Sequence, residues 1–535
     1  MRFAALFLAA ILCAQGKVDL SVVHKIKNEA FENSKAMDTL GWLTDVNGPR
    51  LTGSPEYTQA AEWTKKRLEE YGLTNVHFEK WGPFGRAWSA KEYSVEVLEP
   101  RYSRVIAMPL AWTDSTPGPV TGEVFFAPLG KGQPGFNPTQ LAKDIEQFKK
   151  DYAGKLRAKI VLISNPITLT PPTQSVFRRY TAAELAAIEQ APTPVEKLKI
   201  DPKHLEVPED PAKLGQFFQS LSEEQVDELL DQVYTQRGEL AKFLKAEGAL
   251  GALMADGRAH GGMVFAEQAG PQKASYGLAL PTFVLTAEQY NRLCRLVEKK
   301  QTVRVRANLQ VEASAGDVDG FNILGEIKGT TKPDEIVMIG AHFDSWHSGT
   351  GATDNGAGST VMIEVMRILK SLNLKMDRTV RIALWSGEEQ GLYGSRNYVK
   401  EHFGVPHKPT TQHGKLSGYF NLDNGSGKIR GVYLQGHDEM RPIFEAWLAP
   451  FHDLGATAIS IRDTGGTDHL SFNSVGLPGF QFIQDPLDYS TVTHHSSMDV
   501  YDHVISGDLM QASAIVASMV YNTATRPAML PRKAE

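Results

Sequence analysis

The chain has 535 residues, too many for one hydrophobic core, so the expected organisation is a processed leader followed by two domains. Apolar residues make up 42% and charged residues 22%, near globular averages, which excludes a mostly disordered or fibrous chain. A formal charge of −6 and the lack of a long basic run give no reason to expect a nucleic-acid partner or an anionic membrane surface.

Arg2, an apolar run over residues 3–14 and the small-x-small sequence Ala14-Gln15-Gly16 read as a secretory signal peptide over residues 1–16. That run is too short to cross a bilayer as a helix, and no later stretch approaches the roughly 20 apolar residues required. The expectation is therefore a secreted or periplasmic protein without a membrane span. Ala10-Ile11-Leu12 before Cys13 lacks the small residue expected beside a lipidated cysteine, which argues against a lipid anchor. Once the leader is removed Cys294 is the only cysteine, so no intrachain disulfide can form.

Residues 56–71 have the spacing of an amphipathic helix ended by Gly72, and residues 93–98 alternate as a strand. These belong to a catalytic-domain segment over 17–117. A different texture opens near Gly118, where short β-like runs at 120–127 and 159–164 are separated by Pro- and Gly-rich turns. Helices are expected at 181–190 and 222–247, joined by a proline-rich loop over 192–211, and short-strand patterning returns at 248–256 and 280–286. This inserted, β-rich unit with its extra helical segment is assigned to 118–315. Over 316–535 strands (336–341, 379–385, 416–422, 431–435, 458–461, 479–483) alternate with helices (356–372, 392–402, 440–454, 508–523). Such alternation is the signature of an α/β fold, a mostly parallel sheet with helices on both faces. Active sites in these sheets gather beyond the carboxyl ends of the strands.

Four of those ends carry metal-ligand residue types. His342 and Asp344 close the first strand, and Asp354 follows in the glycine-rich loop Gly351–Gly358. Glu388 and Glu389 follow the second strand, Asp423 the third, and a later element supplies His494, His495 and Asp499. Adjacent carboxylates repel unless a cation or very different surroundings separate them. Histidine and carboxylate donors without a thiolate suit zinc, with cobalt or manganese as substitutes. Five such ligands exceed what one catalytic zinc takes, whereas two ions about 3.5–4 Å apart and bridged by a carboxylate would use them all. A bridging water would then lose its proton near neutral pH, and a free carboxylate beside it could shuttle protons.

Taken in order, His342-x-Asp344, Gly351-Ala352-x-Asp354-x-Gly356, Gly387-Glu388-Glu389, Asn421-Leu422-Asp423 and His495-Ser496-x-x-Asp499 resemble the zinc exopeptidases that include bacterial leucyl aminopeptidase, carboxypeptidase Q and glutamate carboxypeptidase II. The run His342-Phe343-Asp344-Ser345-Trp346 looks nearest to carboxypeptidase Q. The resemblance implies the phosphorylase/hydrolase-like fold of those enzymes and a secreted exopeptidase acting on peptides, in the first instance an aminopeptidase. The alternative is a carboxypeptidase or dipeptidase. It further implies two Zn²⁺ ions held by His342, Asp354, Glu389, Asp423 and His495, with Asp354 bridging, Glu388 as general base and Asp344 orienting His342. His494 stands where some relatives carry an oxyanion-stabilising tyrosine, which implies a hydrogen bond to the oxyanion. Asn355 replaces a common acidic residue, a change expected to alter outer hydrogen bonding rather than metal count. The segment from Gly154 and the Gly-Ala-Leu-Gly-Ala run from Gly248 resemble protease-associated domains.

Plainer readings apply elsewhere. His347, His402, His407 and His413 are taken as surface histidines, and Cys294 as a buried, inert thiol. The loop Gly465-Gly466-Thr467-Asp468-His469 either lines the pocket or is a capped turn. A single-zinc glutaminyl cyclase and a metal-free binding module are the rival functions; retention of His342 and Glu388 speaks against each. No Gly-x-Ser-x-Gly elbow is present, and a homodimer is left open.

Overall fold

Residues 336–341 and 379–385 are nearly unbroken apolar runs, and strands of that kind persist only with both faces covered. The computed structural model describes residues 18–131, 137–170, 172–190, 197–201, 205–208, 213, 217–218 and 220–533. The leader expected at 1–16 and much of the 192–211 loop lie outside the described residues. Both apolar runs sit inside an eight-stranded sheet. Its spatial order is Thr74–Gly85, Val318–Ile327, Arg378–Trp385, Lys332–His342, Leu416–Asn421, Gly479–Gln484, Ile429–Tyr433 and Ala458–Ser460. The strands from Arg378–Trp385 to Gly479–Gln484 are parallel, and antiparallel pairing begins only outside them.

Side chains alternate across this sheet as period two requires. Val337, Ile339 and Ala341 join Val380, Ile382 and Leu384 in a core closed by the helices Ala357–Ser371 and Ser506–Thr525. Met338, Ala383 and Trp385 face the other way, against the helix Tyr393–His402. Gly340 leaves room for a buried polar chain, because a Cβ there would stand 2.6 Å from the Tyr419 hydroxyl and 2.8 Å from Trp385 Nε1. Trp385 Nε1 donates to Tyr419 at 2.7 Å, and Tyr419 donates to Asn421 Oδ1 at 2.5 Å.

A second eight-stranded sheet runs Ser103–Val105, Trp88–Glu99, Arg304–Ala313, Val120–Phe126, Lys159–Leu162, Gly251–Met254, Thr282–Leu285 and Ala107–Pro109. The four strands from Val120–Phe126 to Thr282–Leu285 are parallel, and helices cover both faces. The strand expected at 93–98 extends over Trp88–Glu99 and pairs with Arg304–Ala313, so it belongs to this second sheet although it precedes Gly118. Cys294 is buried in the helix Ala287–Glu298, and burial pushes its thiol up to about 11. The helix Ala182–Glu189 leaves the second unit and covers the edge strand Ala458–Ser460, whose Ser460 hydroxyl donates to Ile188 O at 2.6 Å.

Of the histidines expected at the surface, His347 is packed in, while His402 and His413 stay partly exposed with one polar contact each. His347 stacks edge-on against Trp88 at 5.1 Å with Nε2 2.7 Å from Pro109 O, and burial pushes it down to about 4. His402 Nε2 lies 2.9 Å from Glu79, and His413 Nε2 lies 2.8 Å from Val475 O. Only His407 of the four is exposed. Each of these partners comes from a distant segment that local patterning does not show. Among the described residues no helix is long and apolar enough to cross a membrane.

Arg50 is the buried fastener between the N-terminal helices and the loop after His342. Its guanidinium donates to the carbonyls of Phe343 (2.7 Å), Leu43 (3.0 Å), Thr350 (3.0 Å) and Gly351 (2.8 Å). A lysine has three donors on a different geometry and leaves buried carbonyls unmatched. Arg50→Lys is expected to lower unfolding stability by about 2–4 kcal/mol, read as a lower urea midpoint; an unchanged midpoint would refute this role.

Candidate metal centre

The parallel register puts the carboxyl ends of the central strands side by side: His342 pairs with Trp385, and Gly340 with Asn421. His342 is the last strand residue and is buried. Its Nε2 stands 3.2 Å from Asp354 Oδ1 and 3.4 Å from Asp423 Oδ1. His495, reached through a helical turn after the strand Gly479–Gln484, places Nε2 3.3 Å from Asp354 Oδ2 and 3.0 Å from Glu389 Oε2. Asp354 thus turns one carboxylate oxygen to each imidazole.

The Asp354 loop is held by Asp499, whose carboxylate accepts from Thr353 N (2.6 Å), the Thr353 hydroxyl (2.8 Å) and Asp354 N (3.3 Å). Asn355 donates to Leu422 O at 2.9 Å and accepts from Gly358 N at 2.9 Å. The donation to Leu422, next to Asp423, is one that a carboxylate could not make. Glu389 Oε1 accepts from Trp346 N at 3.2 Å, which leaves Oε2 for His495.

Asp344 stands beside His342 as expected, and it faces the ring with its carbonyl as well as its carboxylate. The carboxylate lies 3.7 Å from His342 Nδ1, and that nitrogen meets the Asp344 carbonyl at 3.0 Å. The carboxylate accepts from the Thr52 hydroxyl at 2.9 Å and from Glu388 N and Glu389 N, both at 3.4 Å. Thr52 also accepts from Gly387 N at 2.8 Å. Gly387 has φ +68°, and a Cβ there would stand 2.9 Å from the Trp81 ring, so this turn requires glycine. The turn places Glu388 Oε2 3.9 Å from His342 Nε2.

His494 has its side chain 43% exposed, stacks on His495 at 3.9 Å between ring centres, and stands 3.8 Å from Asp354 Oδ2. It is the accessible one of the two adjacent histidines. Asp468, from the loop with two open readings, is buried without a side-chain cap contact to the helix His469–Asn473. Burial, with Asp423 and Asp344 nearby, pushes its carboxyl up to about 7 against the pull of His342. That favours the site-facing reading of the loop over the capped turn.

The electrostatics are those of carboxylates crowded away from water. Burial pushes Glu388 well above the usual carboxylate range, and Asp423, Asp468 and Glu389 add to it against His342. Burial pushes Glu389 up to about 8, with Asp354 adding to it. Burial pulls both His342 and His495 down, yet the carboxylates outweigh it and hold them well above their ordinary value. Asp354 Oδ2 is buried and accepts no hydrogen bond. His342, Asp354 and Glu389 offer ligand atoms within 4.8 Å of one another, as do Asp354, His494 and His495, and His342, Glu388 and Asp423. Nitrogen and oxygen donors, an orphaned carboxylate oxygen and excess buried acid all suit zinc.

Sequence reasoning missed Arg50, Thr52 and Glu267. The last, from the second unit, brings its carboxylate 3.0 Å from His495 Nδ1. Thr52 follows Arg50 in a short polar stretch with no periodic signal, and Glu267 lies 228 residues from its partner.

Residues 322–520 match the profile of "Peptidase family M28". Over 97% of this chain and 90% of the relative, the sequence is 25% identical to carboxypeptidase Q of Mus musculus. It is 29% identical to aminopeptidase YwaD of Bacillus subtilis over 41% of this chain and 48% of that protein. In fold it is similar to a peptidase M28 precursor from Shewanella amazonensis, with TM-score 0.63, 23% identity, 96% of this chain and 99% of the other. A zinc aminopeptidase from Bacillus subtilis gives TM-score 0.54 at 20% identity over 92% of this chain and 94% of the other.

Stripping divalent cations with 1,10-phenanthroline leaves these carboxylates without compensation. We expect Tm to fall by roughly 5–10 °C and to recover when zinc is returned, followed by scanning fluorimetry. An identical melting curve before and after chelation would count against a metal at this position.

Proposed function

Since this chain belongs to peptidase family M28 and is a zinc-dependent exopeptidase, we propose that it releases residues one at a time from the amino-terminal end of short peptides using two zinc ions. In this reading His342, Asp354 and Asp423 hold one ion, and Asp354, Glu389 and His495 the other. The observation that carries it is the Asp354 carboxylate, with Oδ1 3.2 Å from His342 and Oδ2 3.3 Å from His495. Zinc bound there supplies a Lewis acid for the scissile carbonyl and lowers the pKa of the attacking water.

The protein's own groups do the rest. Glu388, set by the Gly387 turn, takes the proton of the attacking water on its carboxylate and returns it to the leaving amine. His494, exposed beside Asp354, donates to the oxygen on which charge develops. Asp344 and Thr52 fix the backbone of Glu388 and Glu389 so that neither carboxylate must reorganise.

An acidic group that holds no ion in this reading favours the amino-terminal end, because the buried Asp468, near Asp423, is suited to a free α-ammonium. The nearby cation Arg258 is already bonded to Asp256 and Glu267. A carboxypeptidase or dipeptidase reading is favoured by the likeness to carboxypeptidase Q over 97% of the chain. A secreted or periplasmic location belongs to the same proposal and rests on the apolar run at residues 3–14.

Terminal blocking separates the two. Acetylating the amine of a dipeptide is expected to abolish cleavage and amidating its carboxylate to leave it largely intact, followed by release of free amino acid. The reverse pattern would assign the carboxypeptidase reading. Glu388→Gln is expected to lower kcat by about 10²- to 10⁴-fold with bound zinc retained by elemental analysis; near-normal turnover would remove Glu388 as the base.

A further inference from the structure

Between the strands Gly251–Met254 and Thr282–Leu285 the second unit sends a loop to the edge of the metal centre. It is stitched there by backbone groups and two serine hydroxyls. Ser497 N donates to Val264 O at 2.8 Å, and Val264 N donates to the Ser497 hydroxyl at 3.1 Å. Ala266 N donates to the Ser348 hydroxyl at 2.8 Å, and that hydroxyl donates to Ala266 O at 2.7 Å. Ala111 N donates to Glu267 O at 2.8 Å. The loop is therefore fixed to the first unit on the residues just before Glu267, and Glu267 O to the second, before its side chain is considered.

That side chain is 16% exposed and brings Oε1 to 3.0 Å from His495 Nδ1. The same oxygen accepts from Arg258 Nη2 at 2.9 Å, and Arg258 is in turn held by Asp256 through Nε (2.9 Å) and Nη2 (3.0 Å). The Arg258 guanidinium also stands 4.6 Å from the centre of the Phe265 ring. A neutral imidazole carries its proton on the nitrogen whose hydrogen bond stabilises it. An acceptor-only carboxylate at Nδ1 places the proton there and turns the Nε2 lone pair toward Asp354 and Glu389.

We propose that Glu267 is a positioning residue through which the second unit completes one half of the metal centre, by fixing the tautomer and ring orientation of His495. The proposal rests on the reading of His495 as a zinc ligand. It makes the two halves unequal. His342 takes its Nδ1 contact from the Asp344 carbonyl within its own loop, at 3.0 Å, and needs nothing from the second unit. His495 takes its contact from a residue 228 positions away. Carboxylate partners of ligating histidines commonly govern metal affinity by about 10- to 100-fold.

Zinc titration of the apo full-length protein against a chromophoric chelator resolves the two ions. Glu267→Gln and Glu267→Ala are expected to weaken one zinc about 10- to 100-fold and leave the other unchanged, with apo-state Tm within about 2 °C of wild type. The cobalt-substituted visible spectrum should lose intensity from one site. Arg258→Gln, at a half-exposed position, is expected to shift the same zinc by a smaller factor, and it decides the matter together with Glu267→Gln should Glu267→Ala fail to fold. Wild-type affinity for both ions in these variants, while His495→Ala loses one equivalent, would overturn the positioning role alone. Retention of two equivalents by His495→Ala would overturn the ligand assignment on which it stands.

Discussion

One carboxylate between two imidazoles organises this molecule. Asp354, Glu388, Glu389 and Asp423 lie together at the end of a buried sheet, where their mutual repulsion is screened far less than in water. Protonated His342 and His495 offset that repulsion in part, which is why the carboxylates lift both imidazoles. Two divalent cations would balance the four carboxylates and leave the imidazoles neutral, the form in which they ligate. The fold has the property expected of a built metal site: it concentrates more acid than its own cations can compensate.

Most of the scaffold's effort goes into holding backbone. Asp344 and Thr52 grip the turn bearing Glu388 and Glu389, Asp499 grips the amides around Asp354, and Asn355 ties that loop to the carbonyl before Asp423. Arg50 binds both sides of the His342 to Asp354 segment. Ligand side chains are short, so fixing the backbone within a few tenths of an ångström fixes the donor atoms too. The parallel sheet makes this economical, since adjacent strand ends arrive in register.

The catalytic sheet was legible because its central strands are buried on both faces, and residues 336–341 and 379–385 show this as nearly unbroken apolar runs. His342, Glu388, Glu389 and Asp423 were legible because each closes or follows a strand run, and Asp354 and His495 because they stand in ordered motifs beyond one. What stayed hidden lacks a local signature. The first sheet strand, Thr74–Gly85, carries Asn75, Glu79 and Lys80 and is broken by Gly82-Pro83, so no period of two stands out. The strand at Trp88–Glu99 could be read as a strand but not assigned to its sheet, because its partner Arg304–Ala313 lies some two hundred residues on. His347 looks like any polar residue after a motif until Trp88 and Pro109 close over it. Asp344 was placed correctly beside His342, yet whether carbonyl or carboxylate meets Nδ1 depends on a loop path that no spacing rule specifies.

Glu267 marks the limit of that kind of reading and shows what the second unit contributes. A glutamate in an irregular loop has no pattern to betray it, and its meaning lies wholly in the 3.0 Å contact across the boundary between units. The contacts around it run through the Ser348 and Ser497 hydroxyls and through two backbone bonds, Ser497 N to Val264 O and Ala111 N to Glu267 O. Two serine hydroxyls dock the loop and one carboxylate touches His495, which separates the requirement for docking two units from the requirement for binding a metal.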